Sequence, residues 1–459
     1  MSKYINPLDN SISQRRIVLI MAWPVIVEQI LQTLVNYIDT AMVGSLGVEA
    51  TASVSINTTL IWLINGIIMG LSTGFSVPIA QAVGEGNQEK AKAIIRQAVI
   101  GMLAFGACAT LIIECICVPF HAHIMGAEEA IVAPAQHYLA IIGISIVFEV
   151  FLAVSSAIVR GMGNTKTPMF YNILLNCINV AMNFLFIYPT RMMDIFGHSV
   201  KIYGFGMGVE GAAIGTLIAT VVAGIMMLSV LFDKKNSIHI SIRDKYKFDK
   251  NIMKTVTIIG IPIAFERISI SIGQIVTTAF ATSLGTVALA AHQLANTAES
   301  ICYMPATGFG VAVTTLVAQS IGANQKDLAK KYSNLCLKYN IIIMCVMAAL
   351  MFAFAPQLMK IFIDDVTVIT VGATLLRIQA FAEPCLAINY VFTGVMKGTG
   401  DTKWPFYISI IGMWLIRIPL AFILIKVLNY GLSAMWIAMA LDWYVRTIVC
   451  FVRMKKVSM

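Results

Sequence analysis

The stretch IVLIMAWPVIVEQILQTLVNYIDTAMVGSLG (17–47) is apolar over a length that can cross a lipid bilayer as one helix. Near its end it carries Asp39, and a carboxylate inside a membrane helix costs roughly 2.5–3.5 kcal/mol on insertion scales. The stretch predicts a membrane helix in which Asp39 has a function that offsets this cost. The polar segment before it lacks the pattern of a cleaved signal peptide, so we expect the helix to be retained.

Composition favours a membrane location for the whole chain. Of its 459 residues, 58% are hydrophobic and only 12% are charged, and the mean hydropathy is +0.83. Soluble domains carry about 25% charged residues. Apolar runs long enough to span a bilayer recur about twelve times, so we predict an all-α integral membrane protein with twelve transmembrane helices. Nine cysteines lie mostly within these runs without a CxxC pair and are interpreted as packing residues.

The basic residues are concentrated on one side of the predicted membrane. With twelve spans, 24 of the 32 Lys and Arg fall on the same side as both termini, and four fall in the opposite loops. The remaining four lie within apolar runs. This asymmetry follows the positive-inside rule and predicts cytoplasmic termini. The net charge of +9 is therefore interpreted as a topology signal, and we expect no nucleic-acid partner.

The chain contains an internal duplication. Residues 18–92 align with 256–330 without a gap at an offset of 238. A second pair of segments, RGMGNTKTP (160–168) and KGTGDTKWP (397–405), aligns at an offset of 237. Each copy holds about six spans, which is an even number, so both copies enter the membrane in the same orientation.

The duplication predicts two pseudo-symmetric six-helix bundles that form a parallel internal repeat. We assign residues 1–232 to an N-terminal lobe and 251–459 to a C-terminal lobe, joined by a basic cytoplasmic linker at 233–250. In transporters built from such repeats the substrate site lies near the membrane midplane between the repeats. A flexible linker suits rocking of one lobe against the other.

Two predicted spans carry a stripe of polar residues on one face. The stripes are Glu28, Gln32, Asn36 and Asp39 in the first span and Asn172, Asn176, Asn179 and Asn183 in the fifth. A carboxylate among amide oxygens is typical of a hard-cation site or of a proton site with hydrogen-bonding neighbours. The alternative is that the stripes hold helices together by interhelical hydrogen bonds.

The second repeat does not conserve the charge of the first, because Thr277 occupies the position equivalent to Asp39. Glu266 remains a candidate for cation or proton binding, with a salt bridge to a nearby cation such as Arg267 as the alternative. Three further candidates lie within the apolar runs of this repeat: Gln274, Glu299 and Glu383. Glu383 precedes Pro384, where we expect a kink.

Motifs for other activities are missing or have a structural explanation. The chain lacks the GxxxxGK[ST] phosphate-binding motif, so ATP-driven transport by this chain alone is not expected. GTGD (398–401) matches the GxGD string of intramembrane aspartyl proteases, but its repeat partner reads GMGN (161–164). We interpret both as tight Gly turns between helices and expect no enzyme activity. An intramembrane hydrolase that uses Asp401 is the alternative.

These segments together resemble the MATE family, the multidrug and toxic compound extrusion transporters. The resemblance rests on the first-span stretch, the loops at 160–168 and 397–405, the segment LGTVALAAHQ (284–293), and the strings QAVGEGN and QSIGANQ. It implies a twelve-helix, two-lobe transporter of the cytoplasmic membrane that exports amphipathic, often cationic compounds in exchange for Na⁺ or H⁺. It implies no cofactor beyond the coupling ion, and we expect a monomer in the lipid bilayer.

The resemblance also implies a cation- or proton-binding site. The family's first-span aspartate falls on Asp39, and its partners in the fifth and sixth spans fall on Asn179, Asn183 and Thr216. Asn36, on the same stripe as Asp39, joins the candidate set. Some members carry Asp at the position of Asn183, so the ion stays open between Na⁺, bound at Asp39, Asn179 and Asn183, and H⁺. We expect Asp39 to be the switch, loaded in one stage of the cycle and free in another.

The alternative transport function is that of a lipid-linked oligosaccharide flippase of related two-lobe architecture. The apolar runs contain four arginines and eight acidic residues, a balance that favours cationic cargo.

The family resemblance also places on Asp401 an acidic residue that some members of the family need.

Overall fold

The computed structural model describes residues 6–8, 11–195, 198–234, 236 and 238–456. Within this part of the chain, eleven helices are long and apolar enough to cross a membrane, and a bent helix pair completes twelve. The predicted all-α membrane architecture is therefore confirmed.

The first six spans form the first lobe. Their bounds are span 1 Gln14–Gly44, span 2 Val48–Gly84, span 3 Gln88–Ile124, span 4 Glu129–Gly161, span 5 Lys166–Ile187 and span 6 Gly208–Phe232. Tight turns separate spans 1 to 3. Asn87 caps the start of span 3 by accepting a 3.0 Å hydrogen bond from the backbone of Lys90.

The second six spans form the second lobe. Their bounds are span 7 Lys250–Thr282, span 8 Thr286–Gly322, span 9 Lys326–Ala353, span 10 Val366–Ala380 with Glu383–Thr399, span 11 Lys403–Val427 and span 12 Leu432–Met454. The two parts of span 10 meet at an angle of 52°. The kink expected at Glu383 is thus confirmed, because Pro384 begins the second part and cannot continue the ladder of hydrogen bonds.

The repeat is visible in the turns as well as in the helices. Gly47 and Gly285, which separate the first two helices of each repeat, have φ angles of 113° and 102°. Gly163 and Gly400, in the two duplicated loops, have φ angles of 93° and 87°. Residues with a side chain rarely adopt these φ angles, so the backbone of each turn requires glycine at the duplicated positions.

A β-hairpin between spans 5 and 6 is an element that the sequence patterns did not indicate. Strand β1 (Pro189–Ile195) pairs antiparallel with β2 (His198–Phe205). Phe186 and Phe205 stack at its base with ring centroids 5.0 Å apart. Tyr188 Oη lies 2.9 Å from Ser45 Oγ, which joins the hairpin to the end of span 1.

Packing between the lobes is concentrated on one side of the membrane, which we call the termini face. This face holds the start of span 1, the ends of spans 2, 4 and 8, and the end of span 12. A core cluster joins span 1, through Ile17 and Met21, to span 8, through Phe309 and Leu316. A Cβ atom added to Gly70 of span 2 would lie 2.6 Å from the carbonyl oxygen of Gly260 in span 7.

The second interlobe cluster contains side chains from spans 2, 7 and 8, namely Val77, Ala80, Ile259, Ile263 and Ala318. All five are buried. Small residues allow the helices to approach closely where hydrophobic driving force between helices is absent. The lobes are therefore closed against each other at the termini face.

The described part of the linker at 233–250 contacts span 3. Gln97 of span 3 donates to the backbone carbonyl of Lys247 and accepts a 3.1 Å hydrogen bond from the backbone of Asp249. Arg96 lies 3.5 Å from the Asp244 carboxylate. The described part of the linker is thus docked on the first lobe, because span 3 supplies polar partners for it.

Candidate functional site

Asp39 lies among polar side chains from spans 5 and 6. Asn183 Nδ2 donates a 2.8 Å hydrogen bond to Asp39 Oδ1. Asn183 also lies 3.2 Å from Asn179, one helical turn earlier on span 5. Asn179 lies 3.1 Å from Thr216 Oγ1 on span 6. The structure therefore brings together Asp39, Asn179, Asn183 and Thr216, which we call the Asp39 site.

The amide of Asn179 is oriented by its neighbours. With its nitrogen toward Asp39, it donates to the Asp39 carboxylate at 2.8 Å, and its oxygen accepts from Thr216 Oγ1 at 3.1 Å. The opposite orientation would bring the amide oxygen against the carboxylate oxygens, which are acceptors as well. Asn179 is therefore a hydrogen-bond donor to Asp39.

Burying the polar groups of this site costs free energy unless each group has a hydrogen-bond partner. Asn179 is 4% exposed and Asn183 is 1% exposed. Asn183 Oδ1 has no hydrogen-bond partner among the described residues. An unpartnered buried oxygen beside a carboxylate is a ready ligand for a cation, since hard cations take carboxylate and amide oxygens.

Gly215 is a residue of this site that the sequence patterns did not single out. A Cβ atom added there would collide with Asn183 Oδ1, and it would also lie 3.0 Å from the backbone nitrogen of Asn183. Spans 5 and 6 can therefore approach closely enough to place Thr216 beside Asn179 only because this position is glycine. The string GAAIGTLIAT (211–220) contained the signal, as two glycines with GxxxG spacing.

The rest of the span 5 stripe serves other contacts. Asn172 donates a 2.9 Å hydrogen bond to Glu28, which also forms a 3.0 Å ion pair with Arg160. Asn176 is buried, and its Nδ2 has no partner among the described residues. The polar stripe of span 1 is divided in the same way. Glu28 contacts Arg160 and Asn172, whereas Asp39 contacts Asn183.

Two candidates are not brought into these contacts. Asn36 is exposed, and its backbone carbonyl accepts a 2.7 Å bond from Thr40. Gln274 is also exposed, and its backbone carbonyl accepts from Thr277, the residue equivalent to Asp39.

Glu266 is paired with Lys397 at 3.0 Å. The salt bridge considered from the sequence therefore exists, but its partner comes from span 10, where we had named Arg267. The pair repeats that of Glu28 with Arg160, because both its members lie at the repeat-equivalent positions.

Glu299 belongs to a buried polar cluster of the second lobe. Gln379 Nε2 donates a 2.9 Å hydrogen bond to Glu299. Glu383 is completely buried, interacts electrostatically with Glu299, and both its carboxyl oxygens lack a hydrogen-bond partner among the described residues. Nearby, Asp442 pairs with both Arg417, at 2.8 Å, and Arg446, at 2.5 Å.

The remaining acidic candidate, Asp401, pairs with Arg453, whose Nε lies 3.1 Å from it. The pairs of Glu28, Glu266 and Asp442 change the charge balance expected from the sequence. These three belong to the eight acidic residues counted within the apolar runs, and basic partners neutralise them. The acids whose charge stays without an ion pair include Asp39, Glu299 and Glu383.

Comparison with known proteins agrees with this architecture. The sequence model of the family described as MatE matches residues 24–185 and 262–423, one match in each repeat. The chain belongs to the MatE family. It is therefore a membrane transporter and not an enzyme, and the resemblance stated from the sequence is confirmed.

Two relatives illustrate the extent of the similarity. The chain is 28% identical over 428 residues to a Thermotoga maritima protein named probable multidrug resistance protein NorM, covering 92% of this chain and 88% of that protein. It is 26% identical over 417 residues to a Bacillus subtilis protein named probable multidrug resistance protein YoeA, covering 90% and 88%.

Solved MatE structures share the fold over almost the whole chain. An outward-facing multidrug resistance MATE family transporter of the MOP superfamily superimposes with a TM-score of 0.88 at 23% identity, over 96% of this chain and 95% of that one. A MOP superfamily transporter from Pyrococcus furiosus, described as having a binding pocket of reverse polarity, superimposes with a TM-score of 0.88 at 22% identity over the same shares.

Proposed function

We propose that this protein is a secondary active multidrug exporter that moves amphipathic, often cationic compounds in exchange for Na⁺ or H⁺ bound at the Asp39 site. The observation that carries the proposal is a membrane carboxylate held by Asn179 and Asn183, with no basic hydrogen-bond partner in the described part of the chain. Such a group needs a proton or a cation to be stable in a bilayer. The names of the bacterial relatives support drug export.

The Asn179 amide suits both states of the Asp39 carboxyl, because an amide carries a donor and an acceptor. With its nitrogen toward Asp39, it donates to the free carboxylate at 2.8 Å. Turned over, its oxygen would accept from a protonated carboxyl or share a bound cation with it. Loading and release of the ion therefore exchange the hydrogen-bond pattern between spans 1, 5 and 6.

Span 1 connects this exchange to the second lobe. Tyr37 lies two residues before Asp39, and its hydroxyl is 2.6 Å from Ser300 Oγ and 3.0 Å from the carbonyl of Thr297 in span 8. A change in how span 1 packs at Asp39 thus reaches the lobe interface directly. A coupling ion can shift the equilibrium only through such a difference between states.

For the second lobe, we propose Glu299 together with Glu383 as the group that takes up a further proton or cation. Two nearby buried carboxyls cannot both remain charged without cost, and no described residue donates a hydrogen bond to Glu383. Glu266 is a weaker choice because Lys397 already neutralises it. Gln274 is exposed and carries no charge.

We further propose a location in the cytoplasmic membrane with both termini in the cytoplasm and with the monomer as the transporting unit. The basic residues of the termini face support this orientation through the positive-inside rule. The flippase remains the second candidate, since pocket polarity differs among relatives of this fold. The ion pairs of Glu28 and Glu266 reduce the excess of acidic charge within the membrane, which was the argument for cationic cargo over a lipid-linked oligosaccharide.

The test is transport by purified protein in liposomes, with a Na⁺ gradient and a pH gradient imposed separately and a fluorescent lipophilic cation as cargo. Asp39→Asn should abolish the response to the driving gradient. Asp364→Asn, at an exposed carboxylate outside the site, is the matched control and should respond like the parent.

The pattern of responses identifies the ion. Transport driven only by Na⁺ makes the Asp39 site a cation cage, and transport driven only by H⁺ makes Asp39 a protonation switch. A parental gradient response from Asp39→Asn would contradict the switch. If neither gradient moves any amphipathic cation, drug export is wrong and transfer of a lipid-linked oligosaccharide should be assayed next.

A further inference from the structure

Two interlobe hydrogen bonds at the termini face are equivalent under the internal repeat. Gln319 of span 8 donates from Nε2 to the carbonyl of Gly161, at the end of span 4, at 2.7 Å. Gln81 of span 2 donates from Nε2 to the carbonyl of Gly398, at the end of span 10, at 3.3 Å. Each glutamine thus binds the lobe to which it does not belong.

The two carbonyls are groups that a helix cannot satisfy itself. Span 4 ends at Gly161 and span 10 ends one residue after Gly398, and the last carbonyls of a helix have no backbone donor within it. Both carbonyl-bearing residues are buried. A buried carbonyl without a partner is costly, so each lobe depends on the other to complete its own helix end.

The backbones of the same glutamines also lie against glycines of the other lobe. A Cβ atom added to Gly84 would collide with the backbone carbonyl of Gln319, and one added to Gly322 would collide with that of Gln81. Glycine is therefore required at both places. Ala80 and Ala318, next to the glutamines in sequence, are about 1% and 0% exposed.

We propose that Gln81 and Gln319 are positioning residues of the transport cycle that together form an interlobe latch at the termini face. The latch consists of these two glutamines and the carbonyls of Gly161 and Gly398. It rests on the two-state part of the proposed function. A state open at the termini face must break both bonds, so they stabilise only the closed state and shift the population toward it.

The two halves of the latch are unequal. The bond from Gln319 is shorter and its side chain is 1% exposed, whereas Gln81 is half-buried and its bond is longer. Loss of Gln319 should therefore open the termini face more than loss of Gln81. This ranking is a result that uniform weakening of the interface would not produce.

The experiment measures opening directly, without a gradient or a cargo. Ala80→Cys is introduced as a buried reporter in a background whose nine native cysteines are replaced, and its rate of reaction with a water-soluble maleimide is measured in detergent. Gln81→Met and Gln319→Met, singly and together, remove the donors while retaining side-chain volume. Gln88→Ala with Gln325→Ala, at exposed glutamines of the same face, is the matched control.

We expect the double Met variant to raise the labelling rate about tenfold, from the loss of two hydrogen bonds, and the exposed-glutamine control to match the parent. Gln319→Met alone should give most of the increase. A second reporter, Ala219→Cys, is completely buried inside the first lobe and should stay unreactive.

A parental labelling rate in the double Met variant overturns the latch, and so does equal acceleration at Ala219→Cys, which indicates loosening of the whole fold. Because the assay needs no transport, its outcome is independent of the coupling ion. If the parent exports the cation but the double Met variant is labelled at the parental rate, only the latch is wrong. If the parent does not export the cation but the double Met variant is labelled faster, the proposed cargo is wrong and the latch stands.

Discussion

Glu28 and Arg160 form a 3.0 Å ion pair between spans 1 and 4, and their repeat equivalents, Glu266 and Lys397, form a second pair at 3.0 Å between spans 7 and 10. Each pair lies within one lobe. The pairs therefore join spans 1 and 4 within the first lobe and spans 7 and 10 within the second.

The first prediction concerns stability. Glu28→Gln leaves Arg160 without its ion-pair partner, and breaking a buried pair in this way costs of order 3 kcal/mol. Thermal unfolding in detergent should show a lowered midpoint, and adding Arg160→Gln should recover much of it. Glu85→Gln, which breaks an exposed 2.8 Å pair with Lys90, should cost less than about 1 kcal/mol. An equal loss in both variants would contradict a structural role for the buried pair.

The second prediction separates the ion site from the remainder of the span 5 stripe. Asn179→Ala removes a direct partner of Asp39, whereas Asn176→Ala removes an amide whose nitrogen has no partner among the described residues. The first change should weaken the apparent affinity for the coupling ion about tenfold, equivalent to one hydrogen bond to a charged group, roughly 1.5 kcal/mol. The second should leave it within about twofold. Ion titration of liposome transport measures both, and a reversed order would place the site elsewhere on the stripe.

The third prediction concerns Gly215, where a methyl group would collide with Asn183. Gly215→Ala should push span 6 away from span 5, separate Thr216 from Asn179 and reduce gradient-driven transport by about tenfold or more, because small displacements of positioned groups are costly. Gly44→Ala is the control, since a Cβ atom there meets nothing within 4 Å. Retention of full coupling by Gly215→Ala would show that the close approach of spans 5 and 6 is dispensable.

The fourth prediction concerns the contact of span 1 with span 8. Tyr37→Phe removes the hydroxyl that binds Ser300 and the carbonyl of Thr297, without altering the groups that contact Asp39. Ion affinity should be unchanged while the rate of coupled transport falls several-fold, as expected for about 1 kcal/mol of lost interlobe contact. Tyr444→Phe, which loses a 2.8 Å bond to Phe381 within the second lobe, is the control. A changed ion affinity in Tyr37→Phe would mean that this hydroxyl belongs to the ion site.

Much of the fold could be predicted from the sequence because it is set by apolar length and by duplication. A run such as 17–47 has no alternative to a membrane helix, and two repeats of even span number must be parallel. Helical spacing predicted a polar stripe on span 1 and another on span 5, and the family resemblance implied the grouping of Asp39 with Asn179 and Asn183. The structure places these three side chains together, while their role in transport stays a prediction.

The contacts that sequence spacing could not give are those between distant helices. Nothing local pairs Glu28 with Arg160 or Glu266 with Lys397, since the partners of each pair are more than a hundred residues apart. Arg267 was the nearest cation in sequence to Glu266 but points along another side of span 7. The β-hairpin at 189–205 was missed because its short polar strands lie between long apolar runs.

The fifth prediction tests the carboxyl pair of the second lobe. Glu383 is completely buried, and its oxygens accept no hydrogen bond from the residues that the structure describes, so it is most stable without a charge. Glu383→Gln should therefore leave thermal stability nearly unchanged. Glu299→Gln should also be tolerated, but it changes the hydrogen bond with Gln379.

If the two carboxyls bind a coupling ion together, either variant should lower the number of ions exchanged per cargo molecule, measured from the reversal potential in liposomes. Asp442→Asn is the contrasting case, because it breaks two contacts to buried arginines and should reduce folding itself. An unchanged ion-to-cargo ratio in both Glu variants would confine ion coupling to the Asp39 site.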